Sequence, residues 1–138
     1  MFNIVHTLFA IFLSQLHINI WFIFILAFLS HWVLDIIPHY SAKEFNRKKF
    51  IKLAVIDGIL SLILLFTYLS QNSDNIILVL CVVFLATLPD LFKIPELFFN
   101  KKYFKKLFFD FHSRIQNEFS FGWIMEIIVF IILIYLVF

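Results

Sequence analysis

Long apolar runs broken by short polar points organise this chain. A helix needs roughly 20 mainly apolar residues to cross about 30 Å of hydrocarbon. Ile18 to Ile37, Phe50 to Leu69, Asn75 to Leu88 and Phe121 to Phe138 approach or meet that length. The second carries Asp57 inside it, and the third can continue past Pro89 towards Phe99. Met1 to Leu16 is apolar but shorter, either a thin fifth span or a helix that dips into the membrane. It has neither the basic n-region nor the small-residue cleavage site of a signal peptide, which predicts a retained helix.

The polar breaks are distinct. His17 and Asn19 mark the first, and Pro38 to Lys49 form the second, with Pro38 disfavouring α geometry at Ile37. Gln71-Asn72-Ser73-Asp74 is a compact turn in which Ser73 or Asp74 is available as an N-cap. Asn100 to Ser120 alternates cations with aromatics, as an interfacial amphipathic helix does. The expected fold is all-α: one domain over residues 1–138, an integral membrane bundle of four or five transmembrane helices with an interfacial helix on the cytoplasmic side.

Composition agrees with that pattern. Of 138 residues, 63% are hydrophobic and 14% charged, whereas a soluble domain carries about a quarter charged residues. Cys81, the single cysteine, can form no intrachain disulfide. The eleven lysines and arginines fall in two places. Lys43, Arg47, Lys48, Lys49 and Lys52 make the first, and Lys93, Lys101, Lys102, Lys105, Lys106 and Arg114 the second. The positive-inside bias puts both on the cytoplasmic side of a multi-pass protein of the cell membrane. Five spans would then place the N-terminus inside and the C-terminus outside. The expected partners are the lipid bilayer and, at the basic stretches, anionic lipid head groups. Topology already explains the charge asymmetry, so nothing points to nucleic acid.

Against this background the acids stand out. A carboxylate at a helix centre costs about 2.5 to 3.5 kcal/mol on insertion scales, so an intramembrane acid is a functional hypothesis. Asp35, Asp57, Asp90 and Glu126 all lie within or at the ends of apolar runs, with His6 and His31 beside them. Each is expected near the cytoplasmic end of its helix, as are His39 and His112. His31-Trp-Val-Leu-Asp35-Ile-Ile-Pro-His39 is the densest segment. Residues i and i+4 share a helix face, so His31 and Asp35 can address one ion while His39 closes over it. Imidazole with carboxylate suits zinc, manganese or iron better than calcium. Blander roles exist for each residue alone. His31, Asp57 and Glu126 can be interhelical hydrogen-bond donors or acceptors, and Asp90 can end a helix. His17 reads as an interface residue, and Glu96, Asp110 and Glu118 as partners of nearby lysines.

The short N-terminal helix with His6, the Leu88-Pro89-Asp90 motif at a helix end, and His112-Ser113 resemble the membrane-bound metal-dependent hydrolases of bacterial inner membranes. The segment Ser30 to His39 is similar to a motif of small bacterial membrane proteins of the same general type. The chain departs from that pattern in two places. Leu91-Phe92-Lys93 stands where the family has a further acid and a histidine, and Phe111-His112-Ser113-Arg114 is a reduced form of a longer histidine element. Any ligand set must therefore differ in part.

The resemblance implies a metal-dependent hydrolase at the cytoplasmic membrane surface, acting on a lipid or other phosphoester. Its divalent ion, zinc or manganese, is expected on His31, Asp35 and Asp90. His6, His39, His112 and Asp57 are further or alternative ligands, and Asp57 or Glu126 would serve as general base. The alternatives are an ion- or proton-binding membrane subunit or small transporter, and a structural partner in a membrane complex.

Overall fold

The computed structural model of the chain describes residues 1–40, 47–72, 74–92, 114, 118–119 and 121–138. Most of the predicted interfacial helix, His112 included, lies outside them. The elements in order are α1 (Asn3–Ser14), α2 (Ile20–Ile36), β1 (His39–Tyr40), α3 (Arg47–Gln71), α4 (Ile76–Leu91), β2 (Glu118–Phe119) and α5 (Gly122–Val137). Among the described residues the fold is all-α apart from one short parallel pairing, His39 with Glu118 and Tyr40 with Phe119.

Local chemistry sets the helix ends. The Asn19 side chain accepts from the Trp21 N–H at 2.9 Å and caps α2. At the other end Ile37 is extended, with φ −64° and ψ 133°, as the following Pro38 requires. The predicted cap at Ser73 or Asp74 is displaced to Asn75, which sits in the left-handed region with φ 62° and ψ 33°. Asparagine tolerates that conformation better than most residues, and the turn needs it there. Pro89 lies inside α4, which continues through it to Leu91.

Helices α1, α2 and α5 are shorter than the apolar runs that encode them, whereas α3 and α4 are longer than theirs. Among the described residues one helix, Lys48–Gln71, is long and apolar enough to cross a membrane. The other four are apolar helices of 12, 17, 16 and 16 residues.

Helix α1 is the axis of the bundle, since α2, α3, α4 and α5 all pack on it while α2 also packs on α4. Each outer helix buries one narrow stripe at helical spacing. On α2 it is Ile23, Ala27, Ser30, His31, Leu34 and Asp35; on α4, Val79, Val82, Val83, Ala86 and Pro89. On α3 the stripe runs through Ser61, Leu65 and Tyr68, and on α5 through Gly122, Glu126, Leu133 and Val137. Small residues recur where helices meet: Ala10, Ala27 and Ala86 are fully buried. They let backbones approach closely, as in membrane helix pairs.

The outward faces invert the arrangement of a water-soluble domain. Trp21, Phe22, Ile63, Phe66, Ile77, Ile131 and Tyr135 are exposed, while His6, His31, Asp35 and Glu126 are buried. At the end of the bundle away from those polar groups, Gln15 Nε2 donates to the Val137 carbonyl at 3.1 Å and contacts the Tyr68 hydroxyl at 3.3 Å. That contact ties the C-terminus of α1 to α3 and α5.

Gly122 opens α5 directly against β1, where an added Cβ would overlap the backbone of His39. The close approach therefore needs a residue without a side chain. Gly122→Ala is expected to destabilise the protein by about 1 to 3 kcal/mol, the usual cost of overpacking. A lowered unfolding temperature in detergent, absent in an exposed-face control such as Ile131→Ala, checks it.

Candidate metal centre

The site is built around the first two turns of α1. Phe2 occupies the N-cap and has no side chain that can accept a hydrogen bond. Its orphan N–H groups must therefore find acceptors on other helices. Glu126 Oε1 on α5 accepts from the Phe2 N–H at 2.8 Å. Asp57 on α3 accepts from Asn3 N–H at 2.6 Å and from Ile4 N–H at 3.1 Å, one oxygen each. The second oxygen of Glu126 accepts from the Tyr40 N–H at 3.3 Å. Negative charge at a helix N-terminus also complements the macrodipole.

One turn further along, α1 carries His6 into contact with α2 and α4. The His6 and His31 rings stack with centroids 4.3 Å apart and an interplanar angle of 19°. Asp35 reaches both: its Oδ1 lies 3.5 Å from His6 Nε2 and its Oδ2 lies 3.5 Å from His31 Nε2. The Met1 amino group also lies 2.9 Å from Asp35 Oδ1. From α4, Asp90 Oδ1 comes within 3.6 Å of His31 Nε2. One donor atom each from His6, His31 and Asp90 falls within 4.8 Å of the others. The His6, His31 and Asp35 side chains are at most 2% exposed, whereas that of Asp90 is 31% exposed. Access to the cluster is therefore from the Asp90 side.

Proton placement on His31 follows from its surroundings. Its Nδ1 lies 3.0 Å from the Ala86 carbonyl oxygen, which can only accept. Nδ1 thus carries the hydrogen in the neutral ring and Nε2 presents its lone pair to the cluster. This is the orientation in which metal-ligating histidines are held, the far N–H resting on a backbone carbonyl. Pro89, in the same stretch of α4, has no N–H to close on Leu85.

The donor set fits a divalent cation. Separations of 3.5 to 3.6 Å are too long for good N–H···O hydrogen bonds. They match the edge of a tetrahedron with metal–ligand bonds near 2.1 Å, which is about 3.4 Å. His6, wholly buried, makes no hydrogen bond through either ring nitrogen. An unsatisfied buried polar group costs about 1 to 3 kcal/mol, and a cation accepting the lone pair of one nitrogen would remove part of that cost.

Not every predicted ligand joins the His6, His31 and Asp90 group: Asp35 lies beside both imidazoles but outside that group, with its Oδ1 on the Met1 amino group. His39 is buried at the start of β1, and its Nδ1 donates to the Ile37 carbonyl at 3.0 Å. It faces Asp35 and Glu126 electrostatically but stands outside the His6, His31 and Asp90 group. Asp57 and Glu126, expected to supply a general base, direct their oxygens at peptide N–H groups and hold α1 in place. The interhelical hydrogen bonds expected as one role for His31, Asp57 and Glu126 are present, but their partners, the Ala86 carbonyl and the first N–H groups of α1, could not be named from the residues. A helix whose N-cap is phenylalanine was the available signal, because its N–H groups need acceptors from elsewhere.

Burial, reinforced by the Met1 amino group, lowers the pKa of His39; its bond to Ile37 and the two carboxylates oppose this in part. The unfolded chain therefore takes up this proton at a higher pH than the folded one. Stability from His39 is complete above the unfolded value near 6.5 and falls as pH drops through and below it. Unfolding temperatures between about pH 7.5 and 5 should show that decline in the parent protein and a flatter one in His39→Asn.

Comparison with protein-family models, curated proteins and solved structures gives no match to this chain, so the chemistry of the site itself carries the functional reading.

Proposed function

We propose that the protein is a multi-pass membrane metalloenzyme, a metal-dependent hydrolase whose divalent ion is held by His6, His31, Asp35 and Asp90. The observation that carries this reading is the grouping of His6, His31 and Asp90, whose donor atoms lie within 4.8 Å of one another, with Asp35 beside both imidazoles. Three helices place imidazole nitrogens and carboxylate oxygens 3.5 to 3.6 Å apart in a buried cluster, the spacing of ligands around one ion.

The inverted surface supports a bilayer setting for the whole bundle. Five apolar helices, α3 crossing fully and the shorter ones with local thinning of the bilayer, would alternate across it. Asp35 ends α2, Asp90 ends α4 and Glu126 lies near the start of α5, while Asp57 stands near the middle of the longer α3 and meets the same end of α1. Asp35, Asp90 and Glu126 therefore sit at the helix ends adjoining the basic stretches, which the positive-inside bias assigns to the cytoplasm. The N-terminus would be inside and the C-terminus outside.

A bound ion would supply Lewis acidity and lower the pKa of a coordinated water towards about 7. The chain's own part is to orient His31 through Ala86, to exclude water around His6 and Asp35, and to leave Asp90 open. The partly exposed Asp90 carboxylate is the group best placed to exchange a proton with an incoming water. A lipid or other phosphoester suits this location, with anionic head groups drawn to the basic stretches.

One observation favours a second reading. Asp57 and Glu126 both bind peptide N–H groups, so among the described residues the cluster has no separate acid dedicated to general-base catalysis. This suits an ion-binding membrane subunit that performs no turnover.

Elemental analysis of detergent-purified protein is expected to find about one zinc or manganese ion per chain. The His31→Ala/Asp90→Ala double variant should lose it. Phosphoester hydrolysis that tracks metal content supports the enzyme, while bound metal without turnover moves the reading to the ion-binding subunit. Absence of metal from the parent protein after incubation with both ions would overturn the centre.

A further inference from the structure

Helix α1 brings His6 to the cluster, yet nothing in α1 itself fixes where His6 points. The ring makes no hydrogen bond of its own. Its position depends on stacking against His31, on the Asp35 carboxylate 3.5 Å from its Nε2, and on the placement of the α1 backbone. That backbone is fixed at its first turn from outside, by Asp57 on the Asn3 and Ile4 N–H groups and Glu126 on the Phe2 N–H. The clamp lies two residues before His6 in sequence, at the same end of the bundle.

We infer that Asp57 and Glu126 are positioning residues of the metal centre, which set the rotation and depth of α1 and thereby aim His6 at the ion. This rests on the metal-centre reading above. Asp57 addresses two adjacent N–H groups with its two oxygens, a bidentate grip that opposes rotation of the helix about its axis. Glu126 bridges the N–H groups of Phe2 and Tyr40, which couples α1 to β1 and α5. Helices α3 and α5 carry none of the four ligands, but through these carboxylates they take part in coordination. The binding of the ion and the seating of α1 are thus one event.

The claim separates from a merely structural role through a control in the same helix. Leu65 lies two turns along α3 from Asp57 and is buried in the same stripe. Leu65→Ala loosens α3 without touching the clamp. Asp57→Asn is isosteric, but replaces one accepting oxygen with a donor facing an N–H group.

Full-length protein in detergent, freed of metal and titrated with cobalt(II), reports both affinity and the donor set through its visible absorption. Asp57→Asn should weaken cobalt binding by about 10- to 100-fold, as outer-shell changes do. Its spectrum should shift towards that of His6→Ala. Leu65→Ala should lower the unfolding temperature and keep parent affinity and spectrum. Asp57→Glu, which retains both acceptors, should recover part of the loss. If Asp57→Asn does not accumulate, Glu126→Gln leaves the Asp57 grip intact and is expected to give the same displacement towards His6→Ala. Parent-like affinity and spectrum in the clamp variant overturn this inference alone. An equal change in Leu65→Ala also overturns it, because general loosening would then suffice. A parent protein that binds no cobalt overturns the metal centre and this inference together.

Discussion

Peptide N–H groups at the start of a helix in apolar surroundings must find acceptors, and this constraint organises the molecule. Helix α1 runs through the middle of the bundle and begins on a phenylalanine that cannot cap it. An isolated helix of 12 residues is marginal in water and has a costly nucleus. Carboxylates on α3 and α5 supply what α1 lacks, through bonds of 2.6 to 3.1 Å. Hydrogen bonds to a charged acceptor contribute about 1.5 to 3 kcal/mol each. They place the axial helix, and the axial helix places the packing surfaces of the other four.

The same acids gather negative charge that a metal ion on the His6, His31 and Asp90 group could offset. Asp35, Asp57, Asp90 and Glu126 gather about the first two turns of α1. Peptide dipoles offset the charge of Asp57 and Glu126, and the Met1 amino group lies against Asp35. Asp35 and Asp90 still converge on the Nε2 lone pair of His31, an arrangement that favours a cation between them. Removing one partner from such a buried cluster is more costly than its net contribution would imply. The polar groups at this end of the bundle are therefore the ones that specify one arrangement of the helices.

The rest of the bundle is held by less directional forces. Narrow stripes of valine, leucine and alanine meet α1, and close backbone approach at Ala10, Ala27 and Ala86 favours dispersion contacts. A bundle whose large apolar side chains face outward relies on its surroundings to cover them. Packing of this kind sets helix proximity but leaves rotation weakly fixed. Rotation is settled by the polar contacts at both ends of α1: the Asp57 and Glu126 clamp at one end and Gln15 against Val137 and Tyr68 at the other.

The sequence by itself determined the all-helical class, because apolar runs with breaks at Asn19, Pro38, 71–74 and 120 leave little else for the backbone to form. It also marked His31 and Asp35 as neighbours, since i and i+4 spacing holds in any α-helix. Asp90 and His6 could be named from their residue types, but their approach to His31 is a fact about α4 and α1 crossing α2. Exact helix ends depended on local geometry: Asn75 rather than Ser73 or Asp74 starts α4, because the turn needs a left-handed residue there. Only the tertiary structure decided that Asp57 and Glu126 bind peptide N–H groups. A carboxylate reads the same in sequence whether it faces a proton, a metal or a helix N-terminus, and the partner is supplied by another helix. The need for glycine at 122 is of the same kind, because the His39 backbone that fills the space lies some eighty residues away along the chain and closeness across that distance is set by packing.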